Sequence, residues 1–198
     1  ARAAAKKLDR SVAIIQDLQG PKIRLGTLPQ GGVELKAGQK LKLCYHQNCK
    51  ADHLPIQFDF SGLVKKGDSL YLRDGTIQTQ IISSTSGEVT VEVKNSGKVS
   101  SNHGINLPDT VFDSKSILTA KDLKDLEFTY TNDVDYVALS FVQTANDIVH
   151  LKKLLAEHKS PARVIAKIET RVATTNLEEI IAAADAVMIA RGDLAIET

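Results

Sequence analysis

The sequence predicts an α/β chain that carries a separate all-β module within it, and three observations lead there. After Ser116, apolar runs such as "DYVALSFV", "RVIAKIE" and "AVMIA" alternate with helical stretches. That is the texture of parallel strands covered on both faces. From about Val33 to Asn102, apolar residues instead alternate with polar ones, as in half-buried antiparallel strands. The beginning of the chain returns to the first texture. The β module is therefore expected to interrupt the α/β domain, with boundaries near Gly26 and Pro108.

The elements follow in order. "AAAKKL" is helical and leads into "SVAIIQDL", expected as a buried strand. "VELKAGQKLKLCY" and "EVTVEVKNSGKV" alternate as strands, and "KKGDSLYLRDGTIQTQII" holds two strands around the turn signal Asp74-Gly75. Short strands with glycine punctuation suggest a small barrel or sandwich. "LTAKDLKDLEF" is a helix with Thr119 as N-cap and Asp122 three residues on. "TANDIVHLKKLLAEH" is amphipathic, with Ile148, Leu151, Leu154 and Leu155 on one stripe. "NLEEIIAAA" is the next helix. Only about four buried parallel strands are visible, whereas a closed parallel barrel needs about eight. On pattern alone, the α/β part is an open sheet or an incomplete barrel.

With 198 residues, a net charge of +1 and 42% hydrophobic residues, the composition is that of an ordinary globular chain. The balance gives no basic stripe for nucleic acid, and no apolar run approaches the ~20 residues that span a bilayer. The basic start has no apolar signal core behind it and no initial Met, so a segment of a longer protein is expected. Cys44 and Cys49 lack a histidine pair and make a poor zinc site by spacing. Two free thiols in a reducing cytoplasm are expected instead.

In parallel α/β folds the chemistry sits at the carboxyl ends of strands. The first strand ends at Asp17, followed by Gln19, Lys22 and Arg24; the next ends at Ser140. The third carries Lys167 and Glu169, which strand alternation puts on one face. The last runs into "RGD", Arg191 to Asp193. Glu169 and Asp193 offer hard oxygen ligands of the kind Mg2+ takes, and Lys167 beside them would stabilise developing negative charge. The backbone from Ala190 to Leu194 could cradle a phosphate or carboxylate. Spacing alone equally allows Lys167 and Glu169 a purely structural ion pair. His46 and His103 read as surface or turn residues rather than ligands, and Asp74-Gly75 is foremost a hairpin turn.

The order of "DLQGPKIRLG", "RDGTIQTQI", "GINLP", "LTAKDLKDL", "DYVALSFVQTANDI", "AKIET" and "VMIARGDLAIE" resembles pyruvate kinase over nearly all of residues 11–198. The resemblance implies a partial (β/α)8 TIM barrel with an inserted small all-β barrel domain. Residues 1–25 and 108–198 would be barrel, and 26–107 the lid. It implies a cytoplasmic glycolytic parent, commonly a homotetramer, that transfers the phosphoryl group of phosphoenolpyruvate to ADP, giving ATP and pyruvate. Lys167 matches the catalytic lysine, and Glu169 and Asp193 the ligands of Mg2+ or Mn2+. Ala190, Gly192 and Asp193 match the substrate loop, Arg24 an arginine near the phosphoryl group, and Ser140 a polar neighbour of the lysine. Asp74 and His103 fall at nucleotide-facing lid positions.

Asp17, Leu18 and Lys22 fall at the monovalent-cation position. There the family commonly reads D-T-K-G-P-E, and "DLQGPK" puts an ammonium where a carboxylate would be. The pattern resembles the branch that does not require K+. Ala195, Gln143 and His103 depart from the usual residues. The family's upstream arginine and asparagine–serine motif and its proton-transfer threonine are not among the 198 residues, so the isolated chain is expected to be inactive. The alternatives are a Mg2+-dependent aldolase or lyase of pyruvate-like substrates, and a non-catalytic binding or assembly unit.

Overall fold

The computed structural model describes residues 1–45, 49–112 and 117–198. Two compact units result: residues 1–21 with 113–190, and residues 22–112 with 191–198. His46 lies outside the described residues.

The first unit is built on a four-stranded sheet of β1 (Ile15–Asp17), β10 (Tyr136–Leu139), β11 (Arg163–Ile168) and β12 (Ala186–Ile189), in that spatial order. Every pairing is parallel, with Asp17 opposite Ala138, Leu139 opposite Ala166 and Lys167 opposite Met188. The strands lie side by side in chain order, with helices α2 (Ala120–Thr131), α3 (Ala145–Glu157), α4 (Arg171–Thr175) and α5 (Leu177–Ala183) in the connections. A short helix, α1 (Arg2–Lys7), precedes β1.

Local signals explain the helix starts. Thr119 and Asp122 form a reciprocal capping box on α2, and Thr144 and Asp147 do the same on α3, so donors that the first turn cannot satisfy find partners. Ile148, Leu151 and Leu155 of α3 are buried and Leu154 half-buried, as its periodicity requires.

The central strands β10 and β11 are apolar and buried, as expected. The outer strands differ from expectation. "SVAIIQDL" yields only the three-residue β1, with Val12 and Ile15 exposed, and Val187, Met188 and Ile189 of β12 are exposed too. Each outer strand has a partner on one side only, so apolar residues selected for two-sided cover lack half of it.

The second unit is the all-β module. Strands β3 (Lys40–Cys44), β4 (Leu54–Pro55), β5 (Ser69–Leu72), β6 (Ile77–Thr85), β7 (Glu88–Val93) and β9 (Ile105–Asn106) form one sheet in the order β4-β3-β7-β6-β5-β9. A ribbon of β2 (Val33–Leu35) and β8 (Gly97–Val99) stands apart. Both sheet edges are engaged by one segment: Arg24 bridges Gly104 beside β9, and Leu25 bridges Ile56 beside β4. That bending of the sheet toward closure protects its edges. Inside lies one apolar cluster that includes Leu25, Leu43, Phe60, Leu70, Leu72, Val89 and Val91.

The expected turn at Asp74-Gly75 is present, with Arg73, Asp74 and Gly75 all at positive φ. Gly75 sits at φ +79°, and a Cβ there would come within 2.9 Å of Ile196 in α6 (Arg191–Glu197).

The expectation of two free thiols is overturned. Cys44 and Cys49 are joined in a disulfide with their Cα atoms 5.9 Å apart, well within bridging distance. The two cysteines stand five residues apart in sequence.

Candidate active site

The carboxyl ends of β1, β10 and β11 carry a connected set of polar groups. Lys167 Nζ lies 3.0 Å from Glu169 Oε1 and 3.1 Å from Asp17 Oδ1. It also donates to Ser140 Oγ at 2.8 Å. Ser140 Oγ donates onward to the Leu18 carbonyl at 2.6 Å, so three neighbouring strand ends are tied through one ammonium.

Alternation along β11 thus places Lys167 and Glu169 side by side. The Lys167–Glu169 pair is largely withdrawn from water, with side chains 13% and 2% exposed, whereas Asp17 is 62% exposed. Burial opposes the charged ammonium. Hydrogen bonding and attraction from Glu169, then from Asp17, outweigh it and hold the Lys167 pKa above its ordinary value. A lysine so placed remains a cation at neutral pH and can face an anionic substrate group.

The support for this cluster contains residues to which sequence reading gave no part in the site. Phe141 adopts φ +56°, an uncommon conformation for a bulky side chain, and its N–H donates to Glu169 Oε2 at 2.8 Å. Gly20, at φ +67°, packs against this segment so closely that a Cβ would lie 2.9 Å from the Phe141 ring. Asp122 is legible as a capping residue. It is also fully buried and accepts from Gln19 N at 2.9 Å and Gly20 N at 3.3 Å, fixing the turn after Asp17. Its second duty links residues 103 and 102 positions apart and leaves no local signal. Thr170, after Glu169, caps α4 and donates to the Val142 carbonyl at 3.2 Å. Gln143 is buried beside it in sequence and donates its N–H to Asp147 at 2.8 Å.

Other expected site residues belong to the second unit. Arg24 pairs backbone with Gly104 and donates from its guanidinium to the Asn102 carbonyl at 2.8 Å. Asp74 Oδ1 stands 3.2 Å from where a Gly104 Cβ would be. His103 Nδ1 accepts from Ser100 N at 3.0 Å, and its carbonyl accepts from Leu25 N. Arg24, Asp74 and His103 therefore gather around one segment, 102–104. Lys22 groups with this unit, whereas Leu18 is buried in the first and offers no side-chain oxygen. Ala190 N–H donates to the Ile168 carbonyl at 3.2 Å, in the first unit. Gly192 and Asp193 lie in α6, in the second, and nothing stands within 4 Å of a Cβ built on Gly192.

No helix among the described residues is long and apolar enough to cross a membrane. The family description "pyruvate kinase, barrel domain" matches residues 1–198. A pyruvate kinase of Agrobacterium vitis is 39% identical over 199 residues, covering 99% of this chain and 41% of the relative. One from Thermotoga maritima is 40% identical over 195 residues, covering 97% and 41%. A crystal structure of a pyruvate kinase from Cryptosporidium parvum superimposes with a TM-score of 0.88 at 31% identity, over 100% of this chain and 42% of that one. The chain thus spans about two fifths of the length of these relatives. It carries the parallel α/β sheet and inserted all-β module that such a match requires, and it belongs to the pyruvate kinase barrel-domain family.

Proposed function

We propose that this chain is the central part of a pyruvate kinase, a glycolytic phosphotransferase that moves the phosphoryl group of phosphoenolpyruvate to ADP. The observation that carries the reading is the ammonium of Lys167, held beside Glu169, Asp17 and Ser140 at the carboxyl ends of adjacent parallel strands. In this reading residues 1–25 and 108–198 belong to the catalytic barrel and 26–107 to the lid. The parent protein acts in the cytoplasm as a homotetramer, with neither nucleic acid nor membrane as partner. Nothing observed favours an aldolase, a lyase or a non-catalytic assembly unit.

Lys167 balances charge on the phosphoryl group in transfer and on the enolate left behind. Arg24 supplies a second cation toward the phosphoryl group. Ser140 orients Lys167, and the backbone at Ala190, Gly192 and Asp193 binds substrate. Asp74 and His103 face the nucleotide. Glu169 and Asp193 are the proposed carboxylate ligands of Mg2+, with Mn2+ as a substitute. Oxygen donors of this hardness fit such an ion, and the Phe141 N–H fixes the Glu169 carboxylate. Bound Mg2+ would supply Lewis-acid neutralisation of phosphate charge.

K+ is not required in this reading. Asp17 already faces the Lys167 ammonium, Leu18 brings no side-chain oxygen, and Lys22 provides a fixed positive charge where the family commonly has a carboxylate. A strong activation by K+ in a tetramethylammonium buffer would count against this part.

The decisive test is a coupled pyruvate-release assay on the full-length protein with saturating Mg2+. Lys167→Met is expected to lower turnover by about 100- to 1000-fold (roughly 3–4 kcal/mol), with Mn2+ binding retained. Near-normal turnover would leave Lys167 and Glu169 as a structural pair only. The 198-residue chain alone is expected to show no turnover.

A further inference from the structure

A second group of metal-ligating side chains lies in the all-β unit, and none of its members is a residue assigned to phosphoryl transfer. Cys44 ends β3, Glu88 begins β7, and antiparallel register sets the two directly opposite each other. His53 stands at the turn just before β4, whose Leu54 and Pro55 pair with Leu43 and Cys44. Ligand atoms of Cys44, His53 and Glu88 all fall within 4.8 Å of one another. Tetrahedral zinc ligands at the usual bond lengths stand about 3.3–3.8 Å apart, so closing the site takes about an ångström of side-chain movement.

His53 points to a ligand independently. Its side chain is only 5% exposed, and its Nδ1 is buried without a hydrogen-bond partner, 3.9 Å from Glu88 Oε1. Its Nε2 faces the Asp52 carboxylate at 3.8 Å. An ion bound at Nδ1 would take the neutral ring with its proton on Nε2, where the Asp52 carboxylate stands. A buried ring nitrogen with nothing to bind is costly. The Lys42 hydrogen bond keeps Glu88 below the usual carboxylate range, although partial burial opposes it. Lys42 engages Oε2, while Oε1 is the atom nearer His53.

We propose that, once the Cys44–Cys49 disulfide is reduced, Cys44, His53 and Glu88 with the freed Cys49 form a site for a borderline-soft divalent ion, Zn2+ by ligand type. The disulfide is the closed form of this site, since a neutral disulfide sulfur is a poor ligand and a thiolate a strong one. A dithiol reductant supplies two electrons and two protons: the protein disulfide becomes two thiols, and the reductant becomes its own cyclic disulfide. The ion then replaces the two thiol protons, which are released to solvent. The carboxylates proposed for Mg2+, Glu169 and Asp193, offer hard oxygens alone, whereas this group adds thiolate and imidazole, so it answers to a different metal class.

The test is a Co2+ titration of the full 198-residue chain, followed by displacement with Zn2+. Cys44 and Cys49 are its only cysteines, so a thiolate-to-cobalt charge-transfer band reports this site and not Mg2+-type carboxylates. The chain reduced with a dithiol and desalted without oxygen should bind one equivalent with that band, and Zn2+ should abolish it. The oxidised chain, identical in sequence, should show none. Glu88→Gln and His53→Ala should each weaken binding about tenfold or more (about 1.4 kcal/mol), with folding checked by circular dichroism. No band in the reduced chain would overturn the proposal. So would undiminished affinity in folded Glu88→Gln and His53→Ala, because the ion would then sit on a bare dithiol.

Discussion

Each unit contains a lysine–glutamate pair with the same separation, Lys167–Glu169 and Lys42–Glu88, both at 3.0 Å. Their surroundings differ. The first pair is 13% and 2% exposed at the end of a parallel strand; the second is 44% and 31% exposed on an antiparallel sheet. Coulomb's law gives the same bare attraction at equal distance, and the effective dielectric decides its worth. At Lys42 water competes for both charges and the pair contributes little. At Lys167 desolvation is costly, so each charge depends on the other and on Ser140, Asp17 and the Phe141 N–H. A folded protein retains such an arrangement where a charged ligand arrives to share the cost, as the proposed phosphoryl-transfer role of Lys167 requires.

The largest expected effect tests the buried pair. In the metal-free chain, Lys167→Met leaves the buried Glu169 carboxylate without its ammonium and should cost about 3–5 kcal/mol in denaturant unfolding. A loss below 1 kcal/mol would place the two pairs in the same class. Next comes the core of the all-β unit against the open edge of the parallel one. Leu43 is fully buried, so Leu43→Ala should cost about 2–5 kcal/mol. Ile189 is 64% exposed on β12, and Ile189→Ala should fall within about 0.5 kcal/mol.

Capping comes third. Thr119→Ala removes the α2 cap and should cost about 1 kcal/mol by thermal unfolding. Fourth, a double-mutant cycle on Lys42 and Glu88 in the oxidised chain should return about 0.2–1 kcal/mol and shrink in high salt. The smallest effect is at Asp185. Burial opposes its charged form, but the Val164 N–H at 2.7 Å and then Lys152 outweigh this and hold its pKa below the ordinary value. A depressed folded pKa stabilises above the unfolded value of about 3.9, and the contribution is lost as pH falls through the folded pKa. Asp185→Asn should therefore lower stability modestly at pH 7 and flatten the acid limb below about pH 4, where the two proteins converge.

Much of the molecule was legible because the signals are local. The period of two along "RVIAKIE" put Lys167 and Glu169 on one face, and they meet at 3.0 Å. Thr119 and Asp122 announced the α2 cap, and Asp74-Gly75 the hairpin turn. Apolar strands alternating with helices gave the parallel sheet, and the change of texture near Val33 gave the all-β module.

What the tertiary structure alone decided involves partners far apart in sequence. The apolar strands at both sheet edges look like buried ones, and only their one-sided pairing exposes Ile15 and Ile189. Asp122 reads as a cap until Gln19 and Gly20 are brought to it. The left-handed Phe141 that aims an N–H at Glu169 follows from packing against Gly20 rather than from any preference of phenylalanine. Cys44 and Cys49 lacked a histidine pair by spacing, yet register set Glu88 opposite Cys44 and a turn brought His53 beside them. Periodicity and capping act over one turn or one strand and so are written in the chain. Register, edge position and the company of a buried charge depend on which distant segments meet, and folding settles that.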